Sequence, residues 1–388
     1  MESKAPPAIT QPGAEGSSGL DPANVFPFPL DDFQLEAIDA LNQGHSVVVS
    51  APTGSGKTLV GEYAIHRALA HGQKVFYTTP LKALSNQKLR DFRDQFGDEN
   101  VGLMTGDLSV NRDASIVVMT TEIFRNMLYA EADEHDDPLA DVEAVVLDEC
   151  HYMNDSQRGT VWEESIIHCP PPVQLVALSA TVANAGQLTD WIEKVHGPTQ
   201  LVLSDHRPVP LQFSFCSAKG LHPLLNEQGT GLHPNCKVWR APKGSKRKGR
   251  SPKPPQPEPP PISFVVAQMA ERAMLPAIYF IFSRRGCDKA VRDLGVQCLV
   301  SPEEQARIRA RFNAYREANP EAVRDGLHAD ALLRGIAAHH AGVLPAWKEL
   351  IEELFQQGLV KVVFATETLA AGINMPARST VIAALSKR

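Results

Sequence analysis

The run Ala51-Pro52-Thr53-Gly54-Ser55-Gly56-Lys57-Thr58 constrains this chain more than any other. It joins a β-branched run, His45 to Ser50, to a helical pattern whose apolar stripe includes Leu59, Tyr63 and Leu69. Strand, glycine-rich turn and helix in that order form a phosphate loop. The glycines let backbone N–H groups close around phosphate oxygens, and the helix N-terminus adds positive potential. Lys57 then reaches the β- and γ-phosphates, while the Thr58 hydroxyl can ligate Mg²⁺. One position departs from the general pattern, because Ala51 stands where a leading glycine is usual.

A phosphate loop works with a carboxylate at the end of another strand. Val142 to His151, VEAVVLDECH, supplies one. Asp148 is placed to hold Mg²⁺, and Glu149 to orient or deprotonate an attacking water. Read alone, Asp148-Glu149-Cys150-His151 could equally be a solvated strand end. Pairing with Lys57 decides for hydrolysis of ATP or GTP. Cys150 and His151 invite a metal reading, but neighbours on a strand point to opposite faces, so the two do not share a site.

The surrounding pattern sets the fold class. From Phe26 to about Ser204, strand-like runs (HSVVVS, KVFYTT, SIVVMT, VEAVVLDE, VQLVALSA) alternate with helical ones such as LVGEYAIHRALAHG and LKALSNQKLRDFRDQF. Such alternation implies right-handed crossovers and a mostly parallel, doubly wound α/β sheet. Residues 1–24, rich in Pro, Gly, Ser and Ala, read as a disordered tail. Residues 205–261 read as a linker, because the eight prolines of the stretch from Ala241 to Pro261 cannot pack a core. Alternation resumes near Ile262 with PAIYFIF, GIAAHH, VKVVFAT and TVIAAL, which predicts a second α/β domain over 262–388. In it, Ser301-Pro302-Glu303-Glu304 predicts a helix start: a capping Ser, Pro at the first helical position and Glu at the capping-box position. The chain stops a few residues after TVIAAL, so the second domain reads as incomplete.

Charge and cysteine usage narrow the environment. The net charge of −7 excludes coating of nucleic acid by bulk positive charge, yet allows a locally basic groove. Arg240, Lys243, Lys246, Arg247, Lys248, Arg250 and Lys253 form such a strip with no acid between them. It reads either as a solubilising linker or as a transient contact to a nucleic-acid backbone. The acidic stretch from Glu131 to Glu143 reads as a solvated loop. Six scattered cysteines with no CxxC pair argue against a disulfide framework or zinc ribbon and for a reducing compartment. No apolar leader or spanning run is present, which points to cytoplasm, with a plastid still open.

Further segments fall in a fixed order, and together they resemble the DExH-box helicases of superfamily two, most of all the superkiller-type RNA helicases. FPFPLDDFQ, Phe26 to Gln34, resembles their adenine-recognition element. TTPLKALSNQK (from Thr78), MTGD (from Met104) and TTEIFRNML (from Thr120) resemble the strand-gripping motifs of the first domain. SAT, with Ser179 and Thr181, resembles the segment coupling hydrolysis to domain movement. IFSRRGCD, AAHHAG and FATETLAAGINMPA match the gripping and ATP-sensing motifs of the second domain.

The resemblance implies two RecA-like α/β domains, the second incomplete, in an ATP-dependent RNA helicase using ATP and Mg²⁺. Gln34 would read the adenine edge with its amide donor and acceptor, and Phe28 would stack on the base. Gly372 and Asn374 would face the nucleotide. Pro80, Leu81, Lys82, Gly106, Asp107, Thr121 and Glu122 in the first domain would hold single-stranded RNA by its backbone. Ser283, Arg284, His340, Gly342, Thr366 and Glu367 would do so in the second. His339-His340 alone would read as a packed or solvated pair; its motif makes it a strand contact. ATP binding would close the two domains and hydrolysis part them, moving the enzyme along one strand in the 3′ to 5′ sense. Thr366-Glu367-Thr368 looks like the RNA branch, and a related DNA-repair helicase is the alternative. So is an ATP- and RNA-binding module without turnover, because the family's arginine-bearing sixth motif would follow Arg388. Without that arginine, residues 1–388 are expected to bind ATP but hydrolyse it poorly.

Titration with fluorescent ATP and GTP analogues in Mg²⁺ should show tighter binding of the adenine nucleotide. A site whose polar groups pair one base leaves them unpaired with the other. Equal affinities would remove Gln34 as a base reader.

Overall fold

In a computed structural model, the described residues are 19–129, 139–154, 159–236, 259–319, 326–369 and 375–384. The N-terminal tail up to Ser18, most of the acidic stretch, the basic strip and the positions Gly372 and Asn374 lie outside them. The chain divides into two compact units, Met1–Pro210 and Leu211–Arg388.

The first unit is built on eight strands: β1 (Ser46–Ser50), β2 (Lys74–Thr79), β3 (Val101–Met104), β4 (Ser109–Val110), β5 (Ile116–Thr120), β6 (Val142–Leu147), β7 (Gln174–Ser179) and β8 (Thr199–Leu203). They lie in the order β4-β3-β5-β2-β6-β7-β1-β8. Only the β3–β4 pairing is antiparallel. Each central strand is a continuous β-branched or aromatic run because both its faces are covered. Helices α1 (Pro22–Val25), α2 (Asp32–Asn42), α3 (Thr58–His71) and α4 (Lys82–Phe96) precede β3 in sequence. They are followed by α5 (Thr121–Tyr129), α6 (Gly159–His168) and α7 (Ala185–Val195). One core joins Ala37, Ile38 and Leu41 of α2 and Val60, Tyr63 and Ala64 of α3 to Val47, Val49, Tyr77 and Val146 of the sheet. The other joins Phe124 of α5, Trp162 and Ile166 of α6 and Ile192 of α7 to Val48, Phe76, Val145 and Leu175. The alternation of sheet residues between the two cores is the period of two that places successive side chains on opposite faces.

The second unit opens on a hairpin of β9 (Ser214–Ser217) and β10 (Gly220–Pro223), inside the stretch the sequence reads as linker. Its residue Cys216 packs on a core with Val265, Val266 and Met269 of α8 (Ile262–Glu271). Part of that stretch is therefore folded structure, for its apolar residues find a helix to cover. Four parallel strands follow, in the order β12-β13-β11-β14: β11 (Ala277–Phe280), β12 (Ile336–His339), β13 (Val362–Ala365) and β14 (Ser379–Ile382). α8 and α9 (Arg284–Asp293) cover one face. α10 (Pro302–Ala318) and α12 (Pro345–Gln356) cover the other, and α11 (Gly326–Leu332) lies between them in sequence. At the start of α10 the Ser301 hydroxyl accepts from Glu304 N (3.2 Å), and Ser301 N donates to the Glu304 carboxylate (2.9 Å). This is the reciprocal cap that the sequence predicts.

Both sheets are the RecA-like α/β architecture that the sequence implies. β3, β4 and β8, together with the hairpin, were not separable as strands by sequence pattern alone, for they are short or lie at sheet edges. Among the described residues no helix is long and apolar enough to cross a membrane.

Arg67 of α3 is the largest buried charge behind the first sheet. Its guanidinium donates to the Glu143 carboxylate, to the Leu41 carbonyl (2.6 Å) and to the Gln174 side-chain oxygen. It thus ties α2, α3, β6 and β7 together. Removing one member of a buried ion pair strands the other, which costs about 3–5 kcal/mol. Arg67→Ala should lower the urea stability of the first unit by that amount. A loss below about 1 kcal/mol would show that this network does not hold the helices to the sheet.

Candidate nucleotide site and nucleic-acid interface

In a parallel sheet every strand ends on the same edge, and loops leaving that edge collect into one site. The phosphate loop leaves β1 there, Asp148 and Glu149 leave β6, and Ser179 ends β7 between them.

The loop turns through two left-handed glycines, Gly54 at φ +83° and Gly56 at φ +82°. Open space surrounds Gly54, for a Cβ there would meet nothing within 4 Å. Ala51, Pro52 and Ser55 are buried, and Thr53 is exposed. The Ser55 hydroxyl is buried without a hydrogen-bond partner. Lys57 is 6% exposed and forms no ion pair among the described residues. Thr58 opens α3. A loop with a spare buried donor, a buried unpaired ammonium and open space fits a polyphosphate. The Thr58 hydroxyl and the Asp148 carboxylate are hard oxygen donors of the kind Mg²⁺ takes.

The carboxylates are held differently. Asp148 is buried, with one oxygen accepting from Glu149 N (2.9 Å) and the other from the Tyr77 hydroxyl (2.9 Å). Burial and the Asp148 charge push the Tyr77 phenol well above its usual range, so it keeps its proton. Glu149 sits at φ +51°, a strained position for a residue with a side chain. Burial, then the charge of Asp148, raises its carboxyl above the ordinary glutamate value, against the opposing pull of Lys57, His151 and Lys88. His151 Nδ1 lies 3.2 Å from the Glu149 carboxylate and 3.5 Å from Ala180 N, between the acidic strand end and the SAT segment. Ser179 is buried with its hydroxyl on the Ala180 carbonyl (2.8 Å), whereas Thr181 is exposed. Burial lifts the neighbouring Cys150 thiol to about 12, which leaves it a packing group.

Gln34 lies against the phosphate loop. Its amide oxygen accepts from Asp31 N (2.8 Å), and its amide nitrogen donates to the Gly56 carbonyl (3.0 Å). The side chain is 3% exposed and braces the phosphate loop with one amide N–H and one oxygen lone pair, keeping a second of each. Phe28 is half-exposed, 5.9 Å from the buried Phe26 ring, and keeps a free face.

The predicted gripping residues also leave the carboxyl edges. Pro80, Leu81 and Lys82 follow β2, Gly106 and Asp107 follow β3, and Thr121 and Glu122 follow β5. Lys82 pairs with Asp107 in the open, next to Gly106. Thr121 is buried, its hydroxyl donating to the Thr79 carbonyl (3.2 Å), so that side chain joins β2 to α5 and does not face outward. In the second unit Ser283 and Arg284 follow β11, and the Ser283 hydroxyl caps α9 by accepting from Gly286 N (3.2 Å). Thr366 and Glu367 follow β13. His340 follows β12 but is buried; its Nε2 meets Asp288 at 2.9 Å and its Nδ1 accepts from Gly342 N at 3.1 Å. Both ring nitrogens are thus spent within the unit. His340 thereby supports the loop at Gly342. Tyr77 is the residue that sequence pattern missed, because it reads as one more apolar position of a buried strand.

Fold and site together define a P-loop α/β protein with a paired carboxylate motif. Residues 31–188 match the DEAD/DEAH box helicase family. Over 94% of its length the chain is 48% identical to the chloroplastic DExH-box ATP-dependent RNA helicase DExH15 of Arabidopsis thaliana. It is 46% identical over 93% of its length to the probable helicase HelY of Mycobacterium leprae. The ATP-dependent RNA helicase mtr4 of Schizosaccharomyces pombe is 40% identical over 97% of the chain. The chain belongs to the DEAD/DEAH-box helicases, within their DExH-box group. It spans 34%, 41% and 35% of the length of these three relatives.

Gly54 and Gly56 separate backbone strain from contact. An alanine in the left-handed region costs about 1–2 kcal/mol at either position. At Gly56 the new Cβ would also lie 2.8 Å from the Gln34 amide nitrogen. Gly56→Ala should therefore lower the thermal midpoint more than Gly54→Ala, and Gln34→Ala should be non-additive with Gly56→Ala alone. Additive effects would remove the Gln34 brace.

Proposed function

We propose that this chain is the motor portion of an ATP-dependent RNA helicase that couples hydrolysis of Mg·ATP to movement along single-stranded RNA. The convergence of Lys57, Thr58, Asp148 and Glu149 on one sheet edge carries this reading. Lys57 meets the phosphates, and Thr58 and Asp148 hold Mg²⁺, which when bound neutralises phosphate charge. Glu149 takes the proton of the attacking water, a role suited to a carboxyl raised above its ordinary value. Ser179 and Thr181, adjoining His151 through Ala180, pass the state of the site to the rest of the motor.

The gripping residues supply the RNA side. Lys82, Gly106, Asp107 and Glu122 in the first unit, and Ser283, Arg284, Gly342, Thr366 and Glu367 in the second, lie at carboxyl edges with the polar chemistry that holds a backbone without reading bases. RNA is favoured over DNA by the Thr366-Glu367-Thr368 run and by relatives named as RNA helicases. Gly372 and Asn374 complete the nucleotide side. A reducing compartment, cytoplasm or plastid, suits the buried thiols Cys150, Cys169 and Cys287, each raised by burial to about 12.

Steady-state ATPase of the full-length protein should rise with single-stranded RNA more than with DNA of the same sequence. Glu149→Gln should lower turnover by about 10²–10⁴-fold while fluorescent ATP analogues still bind. Equal stimulation by both nucleic acids would sink the RNA assignment, and full turnover by Glu149→Gln would sink the role of Glu149.

A further inference from the structure

Tyr77 is a buried side chain at the nucleotide site to which the function above gives no task. It lies in the middle of a strand, is fully buried and still carries a hydroxyl. The β2–β6 register places it opposite Val146, two residues before Asp148 and on the same face of the sheet. Asp148 N donates to the carbonyl of the adjacent Thr78 (3.0 Å), so the backbone holds the two strands together where the carboxylate emerges. The Tyr77 hydroxyl then donates to Asp148 Oδ2 at 2.9 Å, and Glu149 N donates to Oδ1 at 2.9 Å. Each carboxylate oxygen has one direction fixed, and rotation about the Asp148 Cβ–Cγ bond is stopped.

The ring is fixed as firmly as its hydroxyl. Phe92 of α4 meets it edge-on at 5.0 Å, and Lys88 of the same helix lies 5.4 Å from its centroid. On the other side, Gly61 of α3 leaves room: a Cβ there would lie 3.3 Å from the ring. A phenol packed this tightly serves a purpose that phenylalanine would not, because a buried hydroxyl must be matched to a partner.

We propose that Tyr77 is a positioning residue that sets the Asp148 carboxylate for Mg²⁺. Partners of a ligating carboxylate orient it and tune its affinity, and their loss typically costs 10–100-fold in metal binding. The proposal rests on the reading of Asp148 as the metal-holding carboxylate.

The test is a Mg²⁺ titration of fluorescent ATP-analogue binding, with binding in EDTA as the metal-free reference. Tyr77→Phe keeps the ring and removes only the hydroxyl. It should move the Mg²⁺ midpoint up by about 10–100-fold and leave the affinity in EDTA within about twofold of the parent. A merely structural role would lower the thermal midpoint and leave the Mg²⁺ midpoint in place, which overturns the proposal. Gly61→Ala retains the hydroxyl but presses on the ring. It should shift the same midpoint in the same direction, so the idea remains testable if Tyr77→Phe does not fold. Asp148→Asn is the control for the underlying reading. If it leaves the Mg²⁺ response untouched, Asp148 is not the metal carboxylate and both readings fall. If Asp148→Asn abolishes the response and Tyr77→Phe does not move it, only the role of Tyr77 falls.

Discussion

Parallel pairing is the constraint on which the rest of this molecule depends. It sends every strand of a sheet out at one edge, so residues far apart in sequence reach the same line without any specific attraction between them. Lys57, Asp148 and Ser179 leave three strands, with β7 lying between β1 and β6 in the sheet. The same edge releases Lys82 and Gly106. The residues at this edge are thus neighbours through backbone hydrogen bonding, and the two cores on either face hold that arrangement.

Burying charge at this edge has consequences for how each group behaves. Lys57 and Asp148 are both withdrawn from water, and Glu149 is pressed into a left-handed backbone beside them. Its strain is supported from three directions: Glu149 N on Asp148, Tyr152 N on the Glu149 carbonyl (3.0 Å), and His151 beside the carboxylate. A conformation this costly persists only where its surroundings over-determine it.

Much of this was legible in the sequence. The glycine loop implied a strand before it and a helix after it, and β-branched runs alternating with helical patterns located the central strands. The Ser301 cap was readable because its chemistry is complete within four residues. What was not legible depends on pairing across long separations. Gln34 reaches Gly56, His340 reaches Asp288, and Tyr77 reaches Asp148, in each case through a fold that must exist before the partner is defined. The family resemblance places Gln34 at the adenine edge and His340 on the strand, from the motifs in which they stand. In the structure His340 has a partner on each ring nitrogen, and Gln34 has one on its amide oxygen and one on its amide nitrogen. The hairpin at 214–223 escaped for a different reason, since its apolar residues sit among prolines and glycines that read as linker.

The exposed edge behaves differently from the buried one. Lys82 and Asp107 pair with side chains 52% and 78% exposed. An ion pair so open to water contributes about 0–1 kcal/mol, since each charge is nearly as well solvated apart as together. On the proposed reading, a phosphate arriving at Lys82 would displace Asp107 at little cost, and the released carboxylate would then repel it. Under that proposal, attraction and repulsion at one point would favour a grip that forms and lets go over one that locks. The buried carboxylate Asp148, clamped on both oxygens, has no such freedom. The same sheet edge thus holds a clamped carboxylate and an open ion pair, and the difference between them is burial.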